Sequence, residues 1–193
     1  MKRFISILLT VCLCTTAIFA YEYDDDDDYD DGYVYEQNGA GDQFLKIDIM
    51  GTFPLNFDGQ LHTGGGLALG YYRFLSSNFG LGGSAIIGYN VTIGKKSLVT
   101  FPVTFGALYQ PYAGKFEFPM TLEIGFATSS CQGLTYFPGF AAKATGGVYY
   151  RFTEAWSAGL SGSAFWLPQW KKDSDLTRHG LFATGGLCAR YHF

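Results

Sequence analysis

Residues 180–193, Gly-Leu-Phe-Ala-Thr-Gly-Gly-Leu-Cys-Ala-Arg-Tyr-His-Phe, end on an aromatic residue and carry the pattern that decides the fold. Counting back by twos from Phe193 gives Tyr191, Ala189, Leu187, Gly185, Ala183 and Leu181; the other parity holds His192, Arg190, Cys188, Gly186, Thr184 and Phe182. One face is apolar or small and the other mixed and polar. Successive strand side chains point to opposite faces, so this period of two predicts a strand. Its length is close to the ~9–11 residues that cross a bilayer at a tilt. If the apolar face meets lipid, the rest of the chain must close a sheet around it.

Seven further strands are predicted, at residues 44–53, 65–74, 79–93, 98–109, 115–128, 140–152 and 156–166. In the first, Leu45, Ile47, Ile49, Gly51 and Phe53 alternate with Phe44, Lys46, Asp48, Met50 and Thr52. Residues 98–109 are among the cleanest alternations, although Pro102, like Pro119 in the next strand, removes a ladder donor and prefers an edge or a bulge. The parity of 65–74 is ambiguous: Leu67, Leu69 and Tyr71 suggest one outward face, Tyr72 and Phe74 the other, and a bulge near Gly70 would reconcile them. In 115–128 the face of Glu117 and Glu123 must be the interior, because carboxylates facing lipid are costly. Short turns at 75–78, 110–114 and 153–155 alternate with mostly longer connections at 55–64, 94–97, 129–139 and 167–179. Tyr71-Tyr72-Arg73-Phe74 echoes Tyr149-Tyr150-Arg151-Phe152, each followed by a tight turn and an aromatic residue, so both hairpins are expected at one rim.

Composition fits this layout. Of 193 residues, 18% are aromatic and only 16% charged, with 26 Gly, which favours many short, turn-punctuated strands over helices. Residues 1–20 read as a secretory signal: Lys2 and Arg3, an apolar run, then Ala20. Residues 21–42 form an acidic leader holding ten of the 17 acidic residues and no basic one. It is expected to be disordered, since like charges repel and nothing in it builds a core. It reads as a solvated spacer, or else as a segment that binds divalent cations or approaches a basic barrel interior. Residues 43–193 are the barrel domain, and they are net basic. Cys131 and Cys188 survive in the mature chain and are expected as free thiols rather than a disulfide. No metal site is assigned, for neither has a His or Cys at ligand spacing.

Taken together, these features resemble the small outer-membrane barrels of Gram-negative-type envelopes, the OmpW-like barrels and small spirochaetal outer-membrane proteins among them. Tyr191 and Phe193 resemble the terminal signal by which the barrel-assembly machinery recognises its clients. The expected fold is an all-β, eight-stranded antiparallel transmembrane up-and-down barrel in a bacterial outer membrane, with both termini periplasmic.

An eight-stranded barrel has an interior just wide enough for side chains or one small ligand. By strand parity Lys46, Asp48, Glu117, Arg151 and Arg190 should lie inside near the periplasmic end, with Glu123 and Lys143 higher. Asp48 is expected to pair with Arg190, and Glu117 with Arg151. Such pairs act either as a salt-bridged plug or as the gate of a narrow pore. His62, His179 and His192 have no Ser at a spacing that suggests a triad, so no enzyme is expected. No phosphate-binding signature is present, and neither a cofactor nor a nucleic-acid partner is expected. The expected partners are outer-membrane lipid, the assembly machinery during insertion and, through the OmpW-like resemblance, a small hydrophobic solute entering by the apolar loop of Leu134, Tyr136, Phe137 and Phe140. Two functions follow: a narrow passive channel for small molecules, or a non-conducting structural or surface-interaction barrel that displays loops.

Overall fold

The computed structural model describes residues 37–57, 60–131, 134–170 and 178–193, without the side chain of Arg178. The secretory signal expected at residues 1–20, most of the expected acidic leader, and Lys171 and Lys172 lie outside the described residues. Eight long strands run in chain order: β1 (Gln43–Pro54), β2 (Gly64–Phe74), β3 (Phe79–Val91), β4 (Ser97–Tyr109), β5 (Met120–Cys131), β6 (Leu134–Arg151), β7 (Trp156–Gln169) and β8 (Arg178–His192). Each pairs antiparallel with the next, and β8 returns to β1, with Phe44 opposite His192 and Lys46 opposite Arg190. The sheet is therefore a closed barrel.

Burial follows the sequence parity in every strand. Ile49 is 64% exposed, Leu122 71% and Leu187 68%, while the charged residues of alternate positions are buried. A soluble protein would have the opposite arrangement; apolar out and polar in is that of a barrel whose solvent is lipid. Aromatic pairs gird both rims. Phe79–Tyr109, Phe116–Tyr150 and Trp156–Tyr191 lie at the end that holds the barrel's two termini, with ring centroids 5.1, 5.2 and 5.1 Å apart. Phe140–Trp166 lies at the loop end, at 5.8 Å.

Four expectations are corrected. No bulge forms at Gly70: the β1–β2 and β2–β3 registers run through it, Leu67, Leu69 and Tyr71 face out, and Tyr72 and Phe74 face in. The ambiguity came from reading Tyr72 and Phe74 as lipid-facing, whereas both fill the lumen. The strand expected at 115–128 is interrupted at Phe118 and Pro119, leaving the two-residue segment Phe116–Glu117 ahead of β5. Register survives the gap because the Pro119 carbonyl still accepts the Gly147 amide at 3.1 Å; only the missing donor is lost.

The connection expected at 129–139 is largely a hairpin, since β5 reaches Cys131 and β6 starts at Leu134. A register shift between Ala127 and Ser129 introduces the extension. The connection expected at 167–179 shrinks likewise, as β7 runs to Gln169 and β8 begins at Arg178.

The repeated rim motif is present but offset by one residue. Leu75 and Ser76 donate to the Phe79 carbonyl just as Phe152 and Thr153 donate to that of Trp156. The Ser76 and Thr153 hydroxyls accept the Phe79 and Trp156 amides at 3.2 and 3.1 Å. Leu75 thus corresponds to Phe152, and Arg73 faces out where Arg151 faces in.

Because Leu122 lies midway between the girdles, Leu122→Arg is expected to destabilise the barrel by about 2–4 kcal/mol, and Phe152→Arg at the rim by about 0–1 kcal/mol. Urea-dependent folding equilibria in lipid vesicles measure both. Equal costs at the two positions would contradict the assigned membrane band.

Candidate functional site

The lumen is the site, and it is built in layers. At the end holding the termini, Glu117 is fully buried and its carboxylate joins two strands: Oε1 takes Arg151 Nη1 and Oε2 takes Arg190 Nη1, each at 3.3 Å. Arg190 Nη1 also donates to Gln110 Oε1 at 2.9 Å. Its guanidinium carbon stands 3.5 Å from the Tyr149 ring centroid and 4.6 Å from that of Phe44, so two aromatic faces take up charge that one carboxylate cannot. Arg151 is capped from outside the sheet, donating to Asn38 Oδ1 at 2.6 Å and to the Glu154 carbonyl at 2.7 Å.

Asn38 belongs to the stretch read as a solvated leader, yet it is buried. Its amide donates to the Tyr112 hydroxyl at 2.9 Å, and Tyr112 donates to the Ser77 carbonyl at 2.8 Å. Burial pushes the Tyr112 phenol up to about 12. Leader residues 37–42 therefore form part of the barrel floor, and Gly41 donates to the Phe74 carbonyl at 2.9 Å.

One step up, Lys46 and Asp48 pair at 3.0 Å on the same strand. The expected Asp48–Arg190 pair does not form. Asp48 lies opposite Cys188, and Arg190, opposite Lys46, reaches across the lumen to Glu117. Inward neighbours two apart on β1 are closer than a diagonal partner, and Arg190 has the longer reach. The expected Glu117–Arg151 pair does form.

Higher still, one Glu123 carboxylate gathers five donors. Tyr72 and Thr121 donate to Oε1 at 2.7 and 2.9 Å; Ser84, Thr104 and Lys143 donate to Oε2 at 3.0, 2.6 and 2.8 Å. Lys143 also contacts Ser84. Tyr72 crosses the lumen to reach Glu123, and Gly82 on β3 leaves the room: a Cβ there would stand 2.4 Å from the Tyr72 ring. Gly147 does the same for Tyr149, at 2.7 Å. Above this layer Met50, Ile86, Phe165 and Phe182 form an apolar cluster. It floors an open cup of about 670 Å³ at the loop end, walled by Phe57, Leu98, Gln169 and Phe182 among others.

All seven charged residues assigned to the lumen by parity are inside it: Lys46, Asp48, Glu117, Glu123, Lys143, Arg151 and Arg190. Apart from the Glu117–Arg151 pair, sequence reading missed their partners. Ser84, Thr104 and Thr121 stand on the inward parity of three strands, a hydroxyl stripe that could have flagged the Glu123 nest; Asn38 and Gln110 carry no periodic signal. Tyr191 and Phe193 lie outside the lumen at the rim, stacked at 6.0 Å. Ser157 and His192 share a hydrogen bond of 2.9 Å that sequence spacing did not suggest, but Ser157 is fully buried. The pair ties β7 to β8 and presents no exposed nucleophile.

A family model matches residues 24–191. An uncharacterized protein of Treponema pallidum (strain Nichols) is 31% identical over 177 residues, spanning 82% of this chain and 80% of its own. Among solved structures, Neisserial surface protein A superposes with a TM-score of 0.67 at 9% identity, covering 79% of this chain and 99% of its own. The outer membrane protein OprG from Pseudomonas aeruginosa superposes at 0.56 and 11% identity, covering 81% and 98%. These last two likenesses are of fold: a small eight-stranded outer-membrane barrel.

Replacing Glu117 by Ala leaves two buried guanidinium groups facing each other, and is expected to cost about 3–5 kcal/mol. The double variant Glu117→Gln with Arg190→Met should cost less than Glu117→Ala alone, since no unpaired charge remains on that side. Chemical denaturation in micelles checks the order; additive, independent costs would contradict the shared carboxylate.

Proposed function

The chain belongs to the family of the Treponema pallidum protein that it matches, and from that premise we propose that it is a closed outer-membrane barrel that acts through its loop end rather than through its lumen. The observation that carries this reading is the filled interior. Glu117 is 0% exposed, Arg190 2% and Glu123 2%, and an apolar layer lies above them. A solute passing along the axis would have to break the Glu123 nest and the Glu117–Arg190 bridge. Breaking either leaves buried charge unpaired, at a cost of several kcal/mol.

At the loop end the exposed groups are suited to contact. Leu134, Phe137 and Trp170 are exposed, and the β5–β6 hairpin carries the first two beyond the girdle. Neisserial surface protein A, similar in fold, bears the name of a surface protein. In this reading the strands sit in outer-membrane lipid, the assembly machinery inserts the chain by way of Tyr191 and Phe193, and both termini are periplasmic. No catalytic role is assigned.

The second reading is the narrow passive channel, with Glu117 and Arg151 as its gate. The cup favours it, being an entrance large enough for a small hydrophobic solute. Planar-bilayer recording of folded protein separates the two. The closed-barrel reading expects no stepwise conductance and no solute flux into liposomes. A defined unitary conductance that changes in Glu117→Gln or Arg151→Gln would replace it with the channel.

A further inference from the structure

The loop-end cup has a definite chemistry. Among the described residues that line it there is no Asp, Glu, Lys or Arg. One wall is apolar and ring-shaped: Phe57 and Phe182 face the space with ring centroids 4.9 Å apart. The lining also carries the carboxamides of Gln60 and Gln169 and the hydroxyls of Thr100 and Ser129. Among the described residues no side-chain hydrogen bond engages either Gln.

The wall is also held in place. Asn56 Oδ1 accepts the Leu181 amide at 2.8 Å, Asn56 Nδ2 donates to the His179 carbonyl, and Leu55 donates to the Leu181 carbonyl at 2.8 Å. Phe57 is thereby fixed to β8 before any ligand arrives, which reduces the ordering cost of binding.

We propose that this cup binds a neutral saccharide of one or two rings. A carboxamide offers a donor and an acceptor on one group, as does each sugar hydroxyl, so Gln60 and Gln169 match a polyol in both roles. The apolar face of a sugar ring lies against Phe57 and Phe182. Among the described residues the lining offers an anionic ligand no Lys or Arg to compensate for the water it would shed here. A purely apolar solute would cover the carboxamides and leave them unpaired, a loss of affinity. The cup's size falls within the ~300–1,000 Å³ typical of small-molecule sites.

The inference rests on the closed-barrel reading, because the apolar layer beneath supplies the floor. Folded protein in micelles, labelled at backbone amides, is titrated with sucrose, lactose and N-acetylglucosamine, and with sucrose octasulfate as a charged counterpart of the first. At least one neutral sugar is expected to shift Phe57, Gln60, Gln169 and Phe182 saturably at millimolar concentration, while the octasulfate leaves them unmoved. The double variant Gln60→Leu/Gln169→Leu is expected to weaken that binding at least tenfold with the heat-modifiable gel shift of the folded barrel retained. Silence from all the neutral sugars, or preferential binding of the octasulfate, overturns the ligand class. Conductance recorded on the same preparation keeps the failures apart: silent sugars without conductance remove only this ligand, whereas unitary conductance removes the closed barrel itself.

Discussion

Everything in this molecule depends on a constraint of the membrane interior: no water is there to satisfy a backbone amide or carbonyl. A sheet with apolar outward faces can lie in lipid only if it has no edge, so β8 must return to β1. The residues read first in the chain's last stretch do that work, with eleven residue pairs from Phe44–His192 to Pro54–Phe182 sealing the ladder. Closure at eight strands sets a narrow lumen, and a narrow lumen must be filled by whatever the inward parity supplies. Here that parity supplies charge.

The interior therefore faces an electrostatic problem that its layers solve in different ways. Four cations, Lys46, Lys143, Arg151 and Arg190, meet three carboxylates, Asp48, Glu117 and Glu123. Glu117 serves two arginines at once, and the surplus positive charge is spread over the faces of Tyr149 and Phe44. Glu123 is surrounded by hydroxyls and one ammonium, so its ion pair with Lys143 does not depend on geometry at a single contact. Buried networks of this kind are costly when incomplete and rigid when complete. The Glu123 nest is of the complete kind, whereas lower in the lumen Asp48 Oδ1, Gln110 Nε2, the Tyr149 hydroxyl and Arg190 Nε are buried without a hydrogen-bond partner among the described residues. The nest is the layer that links the fold to the function proposed, since opening it would break every one of its contacts.

Much of this was legible in the sequence because period two survives lipid as well as it survives water. The parity of Glu117 and Glu123, of Lys143 and of Arg190 is enough to place them inside. What escaped was whatever depended on distance across the barrel. Arg190 was assigned a neighbour's carboxylate, yet its side chain is long enough to reach a strand that is not adjacent. Tyr72 looked lipid-facing because aromatic residues usually sit at the girdle, and only the opposing Gly82 reveals that it fills the core. Asn38 was hidden in a segment whose composition describes its acidic run and not its last residues. The connection at 129–139 was read as a loop, yet Pro138 lies within a strand that continues past the membrane.

The account's central claim, that the lumen is packed from the floor to the apolar layer, is open to a direct test by the chain's own thiols. Cys188 is buried against Ser161 Oγ at 2.8 Å in mid-lumen, while Cys131 is half-buried at the loop end beside the cleft formed by Leu61, Ile93 and Leu98. The mature folded protein is treated with a water-soluble maleimide in detergent micelles, and the modified cysteines are identified by peptide mass. The account expects label on Cys131 and none on Cys188 until the barrel is unfolded. Modification of Cys188 in the folded state, at a rate comparable to Cys131, would show a water-filled lumen and contradict it.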